Sequence, residues 1–314
     1  MICIGLFEAL YGLLQYLTGW QHIFTYVKKY NTESATGTYI NPNHYAGLLE
    51  MALPFIFAGI CFRLPGKDHG ARGVLRHILT SRYTARWVAH VLLFAVVLVG
   101  LIFSRSRMGI LAAVAGLVVV LVIDLFKTAK SSALGMTVLI LGLPLVYSVW
   151  IGLAPVQERF ELLWSKEHLE QDRLPIWRDT LTQIRDYPLL GTGLGTYPWA
   201  SLHYQSHKLN YRYEHAHNDY LEFAADLGIP AAVLLFAGLW CLAIRAARAA
   251  FLLKRTNDRV LAAGCGGAMV ALLTHATADF NLQIPANAFL FSWIAGTAAA
   301  VSAGEASADT HTLG

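Results

Sequence analysis

The stretch MGILAAVAGLVVVLVIDLF, residues 108–126, carries a single charged residue, Asp124. A helix of this length spans roughly 30 Å, which is the thickness of the hydrocarbon core of a bilayer. Similar apolar runs recur along most of the chain, which is 56% hydrophobic and only 14% charged. Because soluble domains usually carry about a quarter charged residues, this composition predicts a membrane protein.

The apolar runs predict an all-α protein, a multi-pass transmembrane helical bundle of about eight spans. The expected spans lie near residues 2–20, 43–62, 87–103, 108–126, 134–153, 229–250, 260–278 and 285–303. The chain between the fifth and sixth spans is far longer than a simple connection, and loops of that length are usually functional. We therefore expect one large external loop, residues 154–228.

Three connecting segments are rich in Lys and Arg, namely 63–86, 127–133 and 245–259. Basic loops mark the cytoplasmic side of a membrane protein, and strict alternation of the spans places all three on that side. Both termini are then cytoplasmic. The predicted organisation is spans one to five in 1–153, the external loop in 154–228, spans six to eight in 229–303 and a disordered cytoplasmic tail in 304–314.

Ionisable groups near a membrane are costly and indicate function. Four groups of them share the external face: Arg105 and Arg107; Arg173 and Arg178; Arg212, His215 and His217; His275 and Asp279. Taken singly, an arginine at a span end is usually a membrane anchor, and a lone histidine usually makes a local hydrogen bond. The His-x-His pair lacks a third ligand at helical spacing, so no metal site is predicted.

A glycine-rich run, LGTGLGT at residues 190–196, resembles a nucleotide-binding fingerprint only superficially. It lacks the required spacing and a preceding strand, so we expect a flexible loop that follows a helix near 173–186.

Taken together, the arginines and histidines of the external face predict one site. Arginine binds phosphate oxygens in pairs and stays charged at every relevant pH, whereas histidine can take up a proton near neutral pH. The residues thus predict a site that holds a phosphorylated amphiphile and deprotonates an acceptor.

His217-Asn218, nine further residues and Gly228 resemble the signature of His-Asn, nine residues and Gly-x-x-Gly that is typical of ligases, with Ala231 in place of the last glycine. Further similar stretches are GTYINPNHYA (37–46), SRSRMG (104–109), and Arg173-x-x-x-Trp177 followed by PLLGTG (188–193). The chain therefore resembles the O-antigen ligase and O-antigen polymerase superfamily of bacterial inner-membrane glycosyltransferases. Members of that superfamily commonly have more spans, so we expect some spans to be missing at the N-terminus.

The resemblance implies a donor glycan on undecaprenyl diphosphate and an acceptor hydroxyl on lipid A-core or another glycan, at the periplasmic face of the inner membrane. It implies that Arg107 or Arg105, together with Arg173, holds the diphosphate, and that His217 is the base of an inverting transfer. Beyond membrane lipids and these substrates, no cofactor, metal or nucleic acid is expected. Residues expected to support the site are Asn218, His215, Arg178, Arg212, Asp279 and His275.

Other functions stay open at this point. Within the superfamily, a polymerase of surface or exported polysaccharide or a protein O-oligosaccharyltransferase would use the same donor chemistry. Outside it, a polysaccharide transporter or flippase and a non-catalytic assembly protein are the alternatives. A transporter typically has internal repeats and charged residues near the bilayer midplane, whereas here the ionisable residues cluster at one face.

Overall fold

The computed structural model describes residues 1–62, 84–128, 166–205 and 212–310. Over these ranges the chain is mostly helical, which confirms the predicted all-α class. The helices are α1 (Ile2–Thr18), α2 (Pro42–Cys61), α3 (Thr84–Phe103), α4 (Arg107–Thr128), α5 (Lys166–Asp186), α6 (Tyr197–Ala200), α7 (Asp219–Leu227), α8 (Ile229–Leu252), α9 (Thr256–His275) and α10 (Pro285–Thr310). A short antiparallel hairpin, β1 (His22–Ile23) and β2 (Tyr26–Val27), follows α1.

In the described ranges, five helices are long and apolar enough to cross a bilayer: α2, α3, α4, α8 and α10. Helix α1 is apolar but shorter. Helix α9 occupies the predicted seventh span, is rich in small residues and is largely buried inside the bundle. The predicted fifth span, 134–153, lies outside the described residues, so these helices support a membrane protein without fixing the number of spans.

Helix α2 forms the centre of the bundle, where it packs against α3, α4 and α9, and its side chains are almost all buried. The outer helices instead turn large apolar side chains outward, as α4 does with Leu111, Val114, Val118 and Val122. These four residues follow helical spacing and form one stripe. An apolar stripe on the outside of a bundle is what contact with lipid requires.

Helices α4 and α9 cross at Gly116 and Gly267. A β-carbon at either glycine would collide with the backbone carbonyl of the other. Small residues at a helix crossing let two backbones approach closely, which is the usual way in which membrane helices gain packing energy. The close crossing fixes α4 against α9, whose last residue, His275, belongs to the site described below.

The segment between α4 and α8 has a small core of its own, made by Ile176, Ile184, Tyr197, Tyr213, Ala216 and Ala225. Its main helix, α5, begins at Lys166, earlier than the helix expected near residue 173. At the other end of the chain, α10 stays helical to Thr310, across the first residues of the segment expected to be a disordered tail.

Candidate active site

The His217-Asn218 pair lies immediately before α7. His217 has a left-handed backbone (φ 49°), and Asn218 caps the helix by accepting a hydrogen bond from the N–H of Leu221 (3.1 Å). The residue after Asn218 is Asp219, whose N–H donates to the carbonyl oxygens of Ala276 (2.9 Å) and Asp279 (3.2 Å). Left-handed conformations of residues other than glycine cost about 1–3 kcal/mol and cluster at functional sites. The backbone therefore joins the His-Asn pair to the loop after α9.

Three histidines from two distant parts of the chain surround one aromatic ring, that of Phe280. His215 stacks on it with 4.1 Å between ring centroids, while His44 (4.7 Å) and His217 (4.9 Å) meet it edge-on. His44 belongs to the first turn of α2, so the ring joins the start of the central helix to the segment before α7. Of the three, His217 has the most exposed side chain, at 35%, compared with 28% for His215 and 10% for His44.

Asp279, beside Phe280, is the carboxylate that His44 and His217 share. Its Oδ1 lies 3.7 Å from Nδ1 of His217 and 3.8 Å from Nε2 of His44, and its Oδ2 accepts a hydrogen bond from the amide of Asn43 (2.6 Å). Burial alone would raise the pKa of Asp279. His217 and His44, together with the charge of His275, outweigh this effect and hold the pKa well below its usual value. Asp279 is therefore ionised at neutral pH.

The neighbouring Asp219 is shifted in the opposite direction. Burial raises the pKa of its carboxyl well above the usual value, although the N–H of Leu282, which donates to Oδ2 at 3.0 Å, partly opposes the shift. One of the two adjacent carboxyl groups is thus charged and the other holds a proton more tightly. Such a division is typical of sites that move protons.

His215 is engaged with another carboxylate. Its Nδ1 lies 2.8 Å from Oε1 of Glu222, and the second oxygen of Glu222 accepts the N–H of Ala216 (2.8 Å). Glu222 is 2% exposed. Glu222 thus fixes the backbone just before His217. It also lies closer to the ring of His215 than Asp279 lies to the ring of His217.

A second buried pair lies deeper in the bundle. Glu50 on α2 and His275 at the end of α9 are both fully buried, with 2.8 Å between Oε2 and Nδ1. Ionisable groups inside the membrane region are found almost only where they are paired or functional. The charge of His275 also acts on Asp279. The pair therefore lies within electrostatic reach of the histidine cluster, which is formed by His44, His215 and His217 around Phe280.

Trp177 holds helix α5 against the segment before α7, because its indole N–H donates to the carbonyl of Ala216 (3.0 Å). Arg173 lies one helical turn before Trp177 and hence on the same face of α5. Arg178 is exposed, one residue beyond Trp177.

Two further arginines lie where α3 ends and α4 begins. Arg105 has a left-handed backbone (φ 58°), and its guanidinium lies 3.7 Å from the carboxylate of Glu33 and 3.5 Å from the hydroxyl of Tyr16. Arg107 is the first residue of α4 and is half-buried. The start of α4 packs against α2, because a β-carbon at Gly109 would meet Ala46.

Arg212 is directed elsewhere. It donates to the carbonyl of Pro198 (3.1 Å) and lies over the ring of Trp199, 4.9 Å from its centroid. The structure thus pairs Arg212 with α6, and these contacts do not include the histidine cluster.

The glycine-rich loop is bound to the end of α7. Thr192 and Gly193 donate their N–H groups to the carbonyls of Ala225 (3.0 Å) and Asp226 (2.8 Å), and Gly195 donates to the carboxylate of Asp226 (2.7 Å). Burial raises the pKa of Asp226 to about 6. The loop predicted to be flexible is therefore held by hydrogen bonds at several points.

Of the predicted site residues, the structure brings together His217, Asn218, His215 and Asp279, with His275 four residues earlier at the end of α9, and Arg105 and Asn43 both line one pocket. Sequence reasoning missed the roles of Phe280, His44, Glu222 and Glu50. A signal existed for Glu50, since it is a carboxylate inside an apolar span. Among the described residues, no three His, Cys, Asp or Glu side chains are arranged to hold a metal ion.

The arrangement can orient the imidazole of His217 against the fixed negative charge of Asp279, while the ring stays partly exposed.

A family of sequences described as O-antigen ligase matches residues 92–236. This range contains both histidines of the His-x-His pair and the five arginines predicted for the site. No curated protein matches the chain. The family match supports the resemblance that the sequence motifs indicated.

Proposed function

On the premise that the chain belongs to the O-antigen ligase superfamily, as the family match supports, we propose that it transfers a glycan from undecaprenyl diphosphate to an acceptor hydroxyl. The preferred acceptor is lipid A-core, at the periplasmic face of the inner membrane. One observation carries the proposal: partly exposed His217 presents Nδ1 to the buried carboxylate of Asp279 at 3.7 Å. A histidine oriented by a buried carboxylate is a common general base.

In the proposed reaction, Nε2 of His217 takes the proton of the acceptor hydroxyl while the hydroxyl oxygen attacks the anomeric carbon of the donor sugar. The bond from that carbon to the diphosphate oxygen breaks, and its electron pair leaves with the diphosphate. Attack from the face opposite the leaving group inverts the anomeric centre. Asp279 keeps the ring in position and stabilises the imidazolium that forms, in the way that a buried carboxylate serves a catalytic histidine.

The diphosphate leaves readily once its charge is neutralised, and arginines supply that charge without a divalent cation. Arg173 is one candidate, because Trp177 holds α5 against the backbone next to His217. The turn between α3 and α4 supplies another, Arg107 or Arg105. We propose that these arginines bind the diphosphate through paired hydrogen bonds.

The other predicted residues support the site in more limited ways. The side-chain oxygen of Asn218 caps α7, so this residue fixes the backbone next to His217. His215 is less exposed than His217 and stacks on Phe280, and its carboxylate partner Glu222 also holds the N–H of Ala216, so we assign His215 to the support of the site. Arg178 and Arg212 are exposed and would meet substrate only at the rim of the site.

A polymerase that joins glycan repeat units, or a protein O-oligosaccharyltransferase, would use the same base and the same leaving group. These enzymes differ in the acceptor alone, so the acceptor must be tested directly. A transporter or a non-catalytic assembly protein would need no base, and replacing His217 would not change glycosidic bond formation because none would occur.

The test is transfer by the purified full chain from an undecaprenyl-diphosphate glycan in the presence of EDTA. Lipid A-core and a second donor molecule are offered as separate acceptors. We expect His217→Ala to lower the rate by about 10²-fold or more, because general base catalysis contributes about 10²–10⁴-fold. His203→Ala is the matched control, since His203 is an exposed histidine on the same external segment.

The outcomes separate the alternatives. Transfer to lipid A-core identifies a ligase, and transfer to the second donor identifies a polymerase. Undiminished transfer by a folded His217→Ala protein would rule out His217 as the base. Loss of transfer in EDTA, with recovery on adding a divalent cation, would contradict the metal-independent reaction.

A further inference from the structure

A polar pocket of about 480 Å³ opens between three connecting segments of the described chain. Its walls come from the loop between α1 and α2, the first turn of α2, and the turn between α3 and α4. All three segments belong to the predicted external face. Most of the lining side chains are amides or hydroxyls, among them Asn31, Thr32, Asn41 and Asn43.

The two charged residues of the lining have opposite signs and face each other. Glu33 and Arg105 are 3.7 Å apart, and Glu33 is 82% exposed, so its carboxylate is accessible from the pocket. A diphosphate would meet this carboxylate and be repelled. A sugar ring would find both donors and acceptors for its hydroxyls, without a net charge opposing it.

The pocket walls are held in shape before any ligand arrives. Buried Lys28 donates hydrogen bonds to the carbonyls of Asn31 (3.2 Å) and Ser34 (3.4 Å), and the amide of Asn31 donates to the carbonyl of Ile40 (3.1 Å). Asn31 (φ 55°) and Arg105 (φ 58°) both have left-handed backbones. Fixed walls reduce the entropic cost of binding, and strained backbone held in this way is typical of binding sites.

The pocket is linked to the proposed catalytic histidine through two successive contacts. Asn43 lines it and also donates its amide to Asp279 (2.6 Å), the carboxylate that faces His217. We propose that this pocket binds a sugar ring of the glycan, next to the place where the new glycosidic bond forms. This inference rests on the proposed function, and it assigns Arg105 to the sugar, which leaves Arg107 and Arg173 for the diphosphate.

The sugar ring could belong to the donor or to the acceptor, and binding measurements distinguish the two. The full-length protein in detergent is titrated with three separate probes. The first is the oligosaccharide released from the lipid-linked donor by mild acid, the second is lipid-free core oligosaccharide, and the third is undecaprenyl diphosphate without glycan.

Thr32→Val and Glu33→Gln test the pocket with little change in side-chain shape. We expect each variant to weaken the binding of one oligosaccharide, by about tenfold for Glu33→Gln, because a sugar hydroxyl donates a stronger hydrogen bond to a charged carboxylate than to a neutral amide oxygen. Binding of undecaprenyl diphosphate should stay unchanged. Thr25→Val, on the exposed hairpin turn of the same loop, is the matched control and should bind all three probes like wild type.

The proposal is overturned if both variants bind both oligosaccharides like wild type, or if wild type binds neither. It is also overturned if Glu33→Gln changes the binding of undecaprenyl diphosphate alone, since the pocket would then hold the diphosphate. The readout is independent of catalysis. Weakened oligosaccharide binding in the variants, with no transfer by wild type, would retain the sugar site and reject only the proposed function.

Discussion

Nδ1 of His217 lies 3.7 Å from Oδ1 of Asp279, slightly beyond hydrogen-bond length. The carboxylate is fixed from two other sides, by the amide of Asn43 (2.6 Å) and by the N–H of Phe280 (2.9 Å). Among the described residues no hydrogen bond holds Nδ1 of His217, so a small shift of its ring would close this gap. Catalytic hydrogen bonds are often long in a free enzyme and shorten when substrate binds.

Asp279→Asn should lower transfer by about tenfold or more, and by less than His217→Ala does. Asparagine keeps the shape of the side chain but loses the charge that stabilises an imidazolium, and base catalysis as a whole is worth about 10²–10⁴-fold. Initial rates with saturating donor test this. Asp186→Asn, which changes an exposed aspartate at the end of α5, is the control. Wild-type rates in a folded Asp279→Asn protein would show that the carboxylate does not assist His217.

Glu50 and His275 should behave as a coupled pair in unfolding experiments. Replacing Glu50 alone by leucine leaves a fully buried imidazole without its partner, and breaking a buried pair costs about 3–5 kcal/mol. The double variant Glu50→Leu, His275→Leu should recover most of that loss, because an apolar pair needs no hydrogen bonds. The free energy of unfolding in detergent provides the measurement. Additive losses in the two single variants and the double variant would contradict the coupling.

The membrane helices could be predicted because their signal is local. A run such as residues 108–126 specifies its own structure through composition and length. The same is true of the cap at Asn218, which forms within one helical turn of His217. Local signals therefore suffice to predict the helices and the His217-Asn218 end of the site.

The rest of the site depends on contacts between distant parts of the chain. Phe280 joins His44 to His215 and His217 only because α2 and α9 pack side by side, and no periodicity in the sequence specifies that neighbour. Glu50 is different, because a carboxylate within an apolar span predicts a buried partner. The identity of that partner, His275, still required the structure.

Asp226 should make stability depend on pH in a particular direction. Burial raises its pKa from 3.8 to about 6, so the folded protein binds this proton more tightly than the unfolded chain does. Its contribution therefore favours folding at low pH and is lost as pH rises from about 4 through about 6. Melting temperatures of wild type and Asp226→Asn across this range give the difference. The melting temperature of the variant should rise relative to that of wild type as pH rises. A difference in melting temperature that stays constant across this pH range would contradict the raised pKa.

Gly228 should tolerate no side chain. Its backbone has φ 81° and ψ 161°, a conformation that is essentially restricted to glycine, and a β-carbon there would collide with the carbonyl of Leu189, where the glycine-rich loop meets the end of α7. That conformation alone costs an alanine about 1–3 kcal/mol, and the collision adds to this cost. Gly228→Ala should therefore lower the free energy of unfolding by about 2 kcal/mol or more.

Gly238→Ala in the middle of α8 is the matched control, because nothing lies within 4 Å of a β-carbon at that position. Alanine is favoured over glycine inside a helix by about 1 kcal/mol, so this change should leave stability equal or slightly higher. Equal effects of the two substitutions would show that the contact between Gly228 and Leu189 does not constrain the loop. A loss confined to Gly228→Ala, accompanied by slower transfer, would show that this contact holds α7 in place behind His217.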